Sequence, residues 1–216
     1  MSAKKYSLEA TESRIPPSNQ LLNRTSKPVK LEEIPTPEIQ TLIDKLFSVA
    51  YGRQGDSQYP TLVGLAAPQI GFMRRIVLIG INAVGNGEQP TLHEYINPVI
   101  VYRSRETELN REGCFSTSRI CGIVERSKTI TLLAYSRSGQ KIYQTLDGFP
   151  ARVAQHEIDH LDGIRFPDRI TDDSILHWVE EEEFGDYRIH WSEWPKKCPR
   201  EKWEAIKSGK ENYLEE

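Results

Sequence analysis

The chain has 216 residues, 38% hydrophobic and 27% charged, which suits one packed domain and excludes disorder throughout. A net charge of −3 excludes a global attraction to nucleic acid or to an anionic membrane. The longest apolar run, "IVLIG" at 76–80, falls far short of a membrane span.

The N-terminal "MSAKKYSLEATESR" carries two lysines but no apolar stretch after them, so it does not read as a secretory signal. Glu9 and Glu12 also break the pattern of a transit peptide. Residues 1–35 are polar and punctuated by proline, and they read as an extended arm. A helix is expected after Thr36, with Thr36 as N-cap and Pro37 at the first position. Ile39, Leu42, Ile43, Leu46, Phe47 and Ala50 give it one apolar face, and it should end near Gly52. A loop, "GRQGDSQYPT", follows. "GLAAPQIG" (64–71) reads as irregular because of its glycines and Pro68. "RRIVLIGI" reads as a buried strand, "AVGNGEQP" as a turn, and "YINPVIVY" as an extended piece interrupted at Pro98. "GIVERS", "TITLLAY" and "KIYQTL" read as short strands, the last two joined by a Ser-Gly turn at 138–139. A helix over about 148–161 is stopped by Asp162-Gly163. "DDSILHWVEEEEFGDY" reads as a capped helix with an acidic end.

This order predicts an α+β fold, mostly antiparallel sheets around a central helix. It also predicts three regions: the arm at 1–35, a folded domain at 36–184 and a Trp-rich tail at 185–216. All four tryptophans lie in the last forty residues. They either fasten the tail to the domain or form a partner-binding face.

The central helix carries "QHEIDH". Positions i and i+4 of a helix share a face, with Cβ atoms ~6 Å apart, so His156 and His160 can converge on one divalent ion. Glu157 is offset around the helix and can reach a water as general base without ligating the metal. The alternative is a core helix with two packed histidines, since Phe149, Val153, His156 and His160 form one stripe and Ala154, Ile158 and Leu161 another. Two buried imidazoles beside a carboxylate are costly without a compensating cation, which favours the metal. A catalytic site needs a third ligand, which the helix does not supply. Cys114, in "REGCFSTS", taken alone reads as a buried thiol. His93, His177 and His190 read as surface or tail residues. Cys114, Cys121 and Cys198 cannot all pair and read as free thiols of a reducing cytoplasm.

Three segments, "GLAAPQIG", "EGCFS" and "QHEIDHLDG", occur in that order, and together they resemble the signature motifs of the peptide deformylases. The resemblance runs from about Ile39 to Arg169. It implies a deformylase-like fold and Cys114, His156 and His160 as metal ligands. It further implies Glu157 as general acid/base, with Gln69 and the backbone N–H of Phe115 as oxyanion donors. Gly64, near Val63 at the methionine pocket, would hydrogen-bond the peptide. Phe115 stands where leucine is common, a change that keeps the backbone donor. The implied reaction is hydrolysis of the N-formyl group from the N-terminal methionine of newly synthesised proteins, releasing formate. The implied metal is Fe2+, with Ni2+, Co2+ or Zn2+ as substitutes. The implied partners are formyl-methionyl nascent peptides and, as a candidate, the ribosome, with no nucleic acid read directly and no membrane. Glu112 and Arg126 are an expected ion pair bracing the cysteine loop, and Gln155 and Asp159 are further candidates to fix the ligands. Two competing readings remain: a zinc metallopeptidase with a carboxylate or histidine as third ligand, and a non-catalytic binding module with the same fold.

Overall fold

The computed structural model describes residues 14–52, 62–85 and 90–210. All but the first residue of the loop expected at 52–61, and half of the turn expected at 83–90, lie outside the described residues. Helix α1 spans Pro37–Gly52, as its proline and apolar spacing predict, and buries Ile39, Ile43 and Leu46 completely. Thr36 differs from a side-chain cap: its hydroxyl donates back to the Glu33 carbonyl at 2.6 Å.

Five strands form one antiparallel sheet in the order β1-β2-β3-β6-β7. They are β1 (Gly64–Ala66), β2 (Ile76–Gly80), β3 (Leu92–Arg103), β6 (Thr129–Tyr135) and β7 (Lys141–Asp147). A second antiparallel sheet joins β4 (Thr107–Gly113), β5 (Ile120–Ser127) and β8 (Leu176–Trp178), in that order. Helix α2, Gly148–Leu161, packs on β1 and β2 and also against β5. Side chains alternate across a strand, so the larger sheet has two buried faces. Leu65, Ile76, Leu78 and Ile96 meet α1, while Ala66, Val77, Ile79 and Tyr95 meet α2. This is why β2 is apolar at every position: helices cover it on both sides.

The interruption expected at Pro98 is a local irregularity inside a continuous β3. The register with β6 shifts between Ile96 and Val99, and Asn97 adopts a φ of 52°. The Asn97 carboxamide then pairs with the backbone of Val29, accepting from its N–H at 2.8 Å and donating to its carbonyl at 2.6 Å. Residues 14–36 thus lie against the domain. They make two 3-10 turns, Gln20–Asn23 and Leu31–Glu33, and bury Leu22, Val29 and Ile34.

The helix expected in "DDSILHWVEEEEFGDY" is not what forms. Strand β8 occupies its middle, followed by a 3-10 turn at Glu181–Glu183 and helix α3 at Phe184–His190. The outer edge of β5 needs a partner, and Leu176–Trp178 supply it in register with Gly122, Cys121 and Ile120. Long-range pairing overrides the local signal. The edge of β8 is covered in turn: the Cys198 N–H bonds the Leu176 carbonyl at 2.8 Å, and the Trp178 N–H bonds the Lys196 carbonyl at 3.0 Å. Helix α4, Arg200–Ser208, then lies over the second sheet. Trp203 is fully buried and Trp194 is 7% exposed, so these two fasten the C-terminal segment into the core. His177 is corrected from a surface residue to a fully buried one, because it sits at the centre of β8. His93 and His190 are exposed, as expected. Among the described residues no helix is long and apolar enough to cross a membrane.

Candidate metal centre and active site

Helix α2 starts at Gly148, whose φ is 60°, and is buried over most of its circumference. His156 and His160 lie one turn apart, their rings edge to face with centroids 5.0 Å apart. The end of β4 delivers the third group. Gly113 lets the strand pass β5 closely, since a Cβ there would stand 2.9 Å from the Cys121 sulfur. Cys114 follows and opens a 3-10 turn at Phe115–Thr117, braced by the Thr117 hydroxyl on the Cys114 carbonyl at 2.7 Å. The ligand-capable atoms of Cys114, His156 and His160 all lie within 4.8 Å of one another.

Gln69 enters from the 3-10 turn Ala67–Ile70 after β1. Its Oε1 accepts from the Ala66 N–H at 2.8 Å, which fixes the direction of the amide. Nε2 therefore points into the cluster, 3.3 Å from Cys114 Sγ, 3.1 Å from His160 Nε2 and 3.1 Å from Ser116 Oγ.

Glu112 orients His156. Its Oε2 accepts from His156 Nδ1 at 2.9 Å, which leaves Nε2 as the ring's lone pair for a cation. The expected Glu112–Arg126 pair is present and bidentate, with both bonds at 2.9 Å, and Arg152 adds a third cationic contact at 2.9 Å. Burial alone would raise the Glu112 pKa, but Arg126 and His156 more than offset it and hold the carboxyl well below the usual range. Arg126 also bonds Asp159 at 2.5 Å, and Asp159 is gripped by Arg169. Asp159 thus braces the far side of the ion-pair network. Gln155 bonds Arg103 and the Ser127 carbonyl and touches no ligand. His156 is pushed up, because Cys114 and Glu112 outweigh burial, whereas burial and the His156 charge push His160 down.

Glu157 lies on the face of α2 toward β1. Burial pushes its carboxyl up to about 7, and its Oε2 is buried with no hydrogen-bond partner among the described residues. Gly64 makes this possible: a Cβ there would stand 2.6 Å from Glu157 Oε1 and 2.8 Å from Val153 Cγ1. Val63 packs beside it with Phe149 against the α2 core. Phe115 follows Cys114 directly, with its ring under the Arg14 guanidinium at 4.5 Å.

One thiol and two imidazoles make a three-ligand set, which fits a catalytic ion with an open position better than a closed structural site. The orphaned Glu157 oxygen beside it suits a water. Sequence reasoning missed Arg152 and Ser116. Arg152 sits one helical turn before His156, so the same i, i+4 spacing placed it within reach of Glu112. Ser116 lay inside the second motif.

Residues 15–174 match the family model described as Polypeptide deformylase. The peptide deformylase of Lachnoclostridium phytofermentans is 38% identical over 165 residues, covering 76% of this chain and 92% of that protein. Peptide deformylase 1 of Bordetella pertussis is 40% identical over 162 residues, covering 74% and 87%. Among solved structures, the Met-Ala-Ser-bound class I type b peptide deformylase of Acinetobacter baumannii superposes with a TM-score of 0.65 at 29% identity, covering 73% of this chain and 96% of that one. Its actinonin-bound form gives 0.63 at 30% identity, covering 74% and 97%.

Proposed function

This chain belongs to the peptide deformylase family and removes the N-formyl group from N-terminal methionine, and we propose that Cys114, His156 and His160 hold the metal for that reaction. The observation that carries the assignment is the Gln69 amide, brought from a separate motif to 3.3 Å from Cys114 Sγ and 3.1 Å from His160 Nε2. A structural metal site has no use for such a donor. A divalent ion bound there supplies Lewis-acid polarisation of the formyl oxygen and lowers the pKa of a water. The mixed thiolate–imidazole set suits Fe2+, with Ni2+, Co2+ or Zn2+ able to replace it.

Glu157 takes a proton from the water that attacks the formyl carbon. It returns that proton to the amine nitrogen as the C–N bond breaks, leaving formate and a free amino terminus. Its partnerless Oε2 and depleted solvation support this role, because a carboxyl that titrates near neutrality can both accept and donate. Gln69 Nε2 and the Phe115 N–H donate to the oxygen that gains charge. The backbone of Gly64, with Val63 beside it, aligns the substrate peptide. Glu112 keeps His156 in the tautomer that ligates.

Catalysis is assigned to residues 36–184, on which the described parts of the flanking segments, 14–35 and 185–210, pack. The substrate is the formyl-methionyl nascent peptide, the setting the cytoplasm, and the ribosome a partner. The metallopeptidase reading needs a carboxylate or histidine as third ligand, and the cluster offers Cys114 instead.

The test is formate release from formyl-Met-Ala-Ser by anaerobically purified, iron- or nickel-loaded protein. Glu157→Ala should keep one metal per chain and lose ~100- to 10,000-fold in kcat. Full activity in that variant would remove Glu157 from the mechanism.

A further inference from the structure

Arg165 is fully buried, yet among the described residues none of its side-chain hydrogen bonds goes to a carboxylate. Its Nη1 donates to the carbonyls of Pro17 at 2.6 Å and Ser116 at 3.0 Å, and its Nη2 donates to Asn23 Oδ1 at 2.7 Å. Burial pulls its pKa down to about 10, which leaves it charged at neutral pH. The guanidinium face is covered by the Trp203 ring of α4, 4.5 Å from the centroid. Asp168 closes the assembly: it accepts from the Arg165 backbone N–H at 3.1 Å, from Trp203 Nε1 at 2.9 Å and from Lys207 at 2.8 Å.

A buried arginine is a costly way to fill space that an aliphatic side chain could fill. What it does here is join three segments: the N-terminal segment, the turn after Cys114, and α4. The turn is the important one. Arg165 holds the carbonyl of Ser116, and the hydroxyl of the same residue accepts from Gln69 Nε2 at 3.1 Å. Ser116 also follows Phe115, whose N–H is the other oxyanion donor. A shift of this turn would displace both donors together.

We propose that Arg165 is a positioning residue for the oxyanion donors, and that α4 holds it in place through Trp203. The C-terminal segment is then linked mechanically to the catalytic turn. This rests on the assignment of Gln69 and Phe115 above. Such a residue acts on the transition state more than on substrate binding, so its loss appears in kcat.

The test is a double-mutant cycle on the full chain loaded with Co2+. Arg165→Leu and Trp203→Leu should each lower kcat about tenfold, since misplacing a donor by ~1 Å can cost up to ~100-fold. KM should stay within about twofold and metal content at one per chain. The visible thiolate-to-cobalt band should shift, because the turn carries Cys114. Arg165→Lys, which retains a cationic donor for the carbonyls, should recover part of the loss. In a Gln69→Ala background the Arg165→Leu loss should shrink to the share that acts through the Phe115 N–H, as coupled positions are non-additive. The proposal is overturned if the two losses multiply independently, or if both variants only lower the melting temperature with kcat and the cobalt spectrum unchanged. If Arg165→Leu does not fold, Trp203→Phe and Arg165→Lys carry the same cycle. A wild-type protein that releases no formate would instead overturn the deformylase site itself.

Discussion

Glu112 meets Arg126, Arg152 and His156 at once, in a place where every charge is nearly out of water. Removing its charge strands two guanidinium groups in the interior. Glu112→Gln should therefore cost about 3–5 kcal/mol of stability, read by denaturant unfolding. It should also weaken metal affinity by ~10- to 100-fold in a chelator competition, because His156 loses the acceptor that fixes its tautomer. Gln69→Ala should leave fold and KM nearly unchanged and lower kcat by ~100- to 1000-fold in the formate assay. A loss confined to KM would place Gln69 in substrate binding instead. Much of this site was legible in the sequence because its chemistry is local. His156, Glu157 and His160 share one helix, and Cys114 and Gln69 stand in recognisable short motifs. The bracing was legible only in part. Glu112–Arg126 links adjacent strands in antiparallel register, a short sequence distance, whereas Arg152–Glu112 and Arg126–Asp159 join residues that only the folded chain brings together.

Strand β8 shows where local pattern fails. Nothing within "SILHWVE" marks it as a strand against the acidic, helix-like run that follows, and its partner, β5, lies more than fifty residues earlier. Helices α1 and α2 were legible because their apolar spacing and their stops, Gly52 and Asp162-Gly163, are self-contained. The misplaced strand also buries a histidine with consequences for acid stability. Lys197 donates to His177 Nε2 at 3.3 Å, so Nδ1 carries the proton toward the Tyr187 hydroxyl at 3.1 Å, and the ring is neutral. Burial and the Lys197 charge push its pKa from the usual 6.5 down to about 4. The unfolded chain takes up this proton near pH 6.5 and the folded chain only near 4. The contribution is thus fully present above pH 6.5 and is lost as pH falls to about 4, amounting to roughly 3 kcal/mol. Denaturant unfolding between pH 7 and pH 4.5 should show this slope, and His177→Leu should flatten it. An unchanged slope in the variant would assign the effect to another group that acts in this window, such as His160, which burial and the His156 charge also push down.

At the scale of the molecule, the C-terminal segment completes two of the apolar clusters. Trp203 and Ile206 of α4 close over Ile120, Phe166, Ile170 and Leu176, while Trp194 and Tyr187 close over Cys121 and Val179. Burying one tryptophan removes ~200 Å² from water and stabilises by about 5 kcal/mol. A chain cut before Phe184 should therefore be largely insoluble, or bind a hydrophobic dye and melt far below the full chain. Equal melting temperatures would show that the segment is dispensable. The composition of this segment was legible, but its seat was not, because tryptophans mark an anchor without saying which surface receives it. The two ends of the described chain also meet: the side chains of Gln20 and Asn23 both donate to the carbonyl of Lys207 at 3.0 Å, at the end of α4. That clasp sets an order in time. While the protein is being synthesised, residues near 20 emerge long before residue 207 exists, so the turn after Cys114 that Arg165 ties to both segments reaches its final form only after α4 has been released. An enzyme that works on newly made chains must itself be finished before it begins.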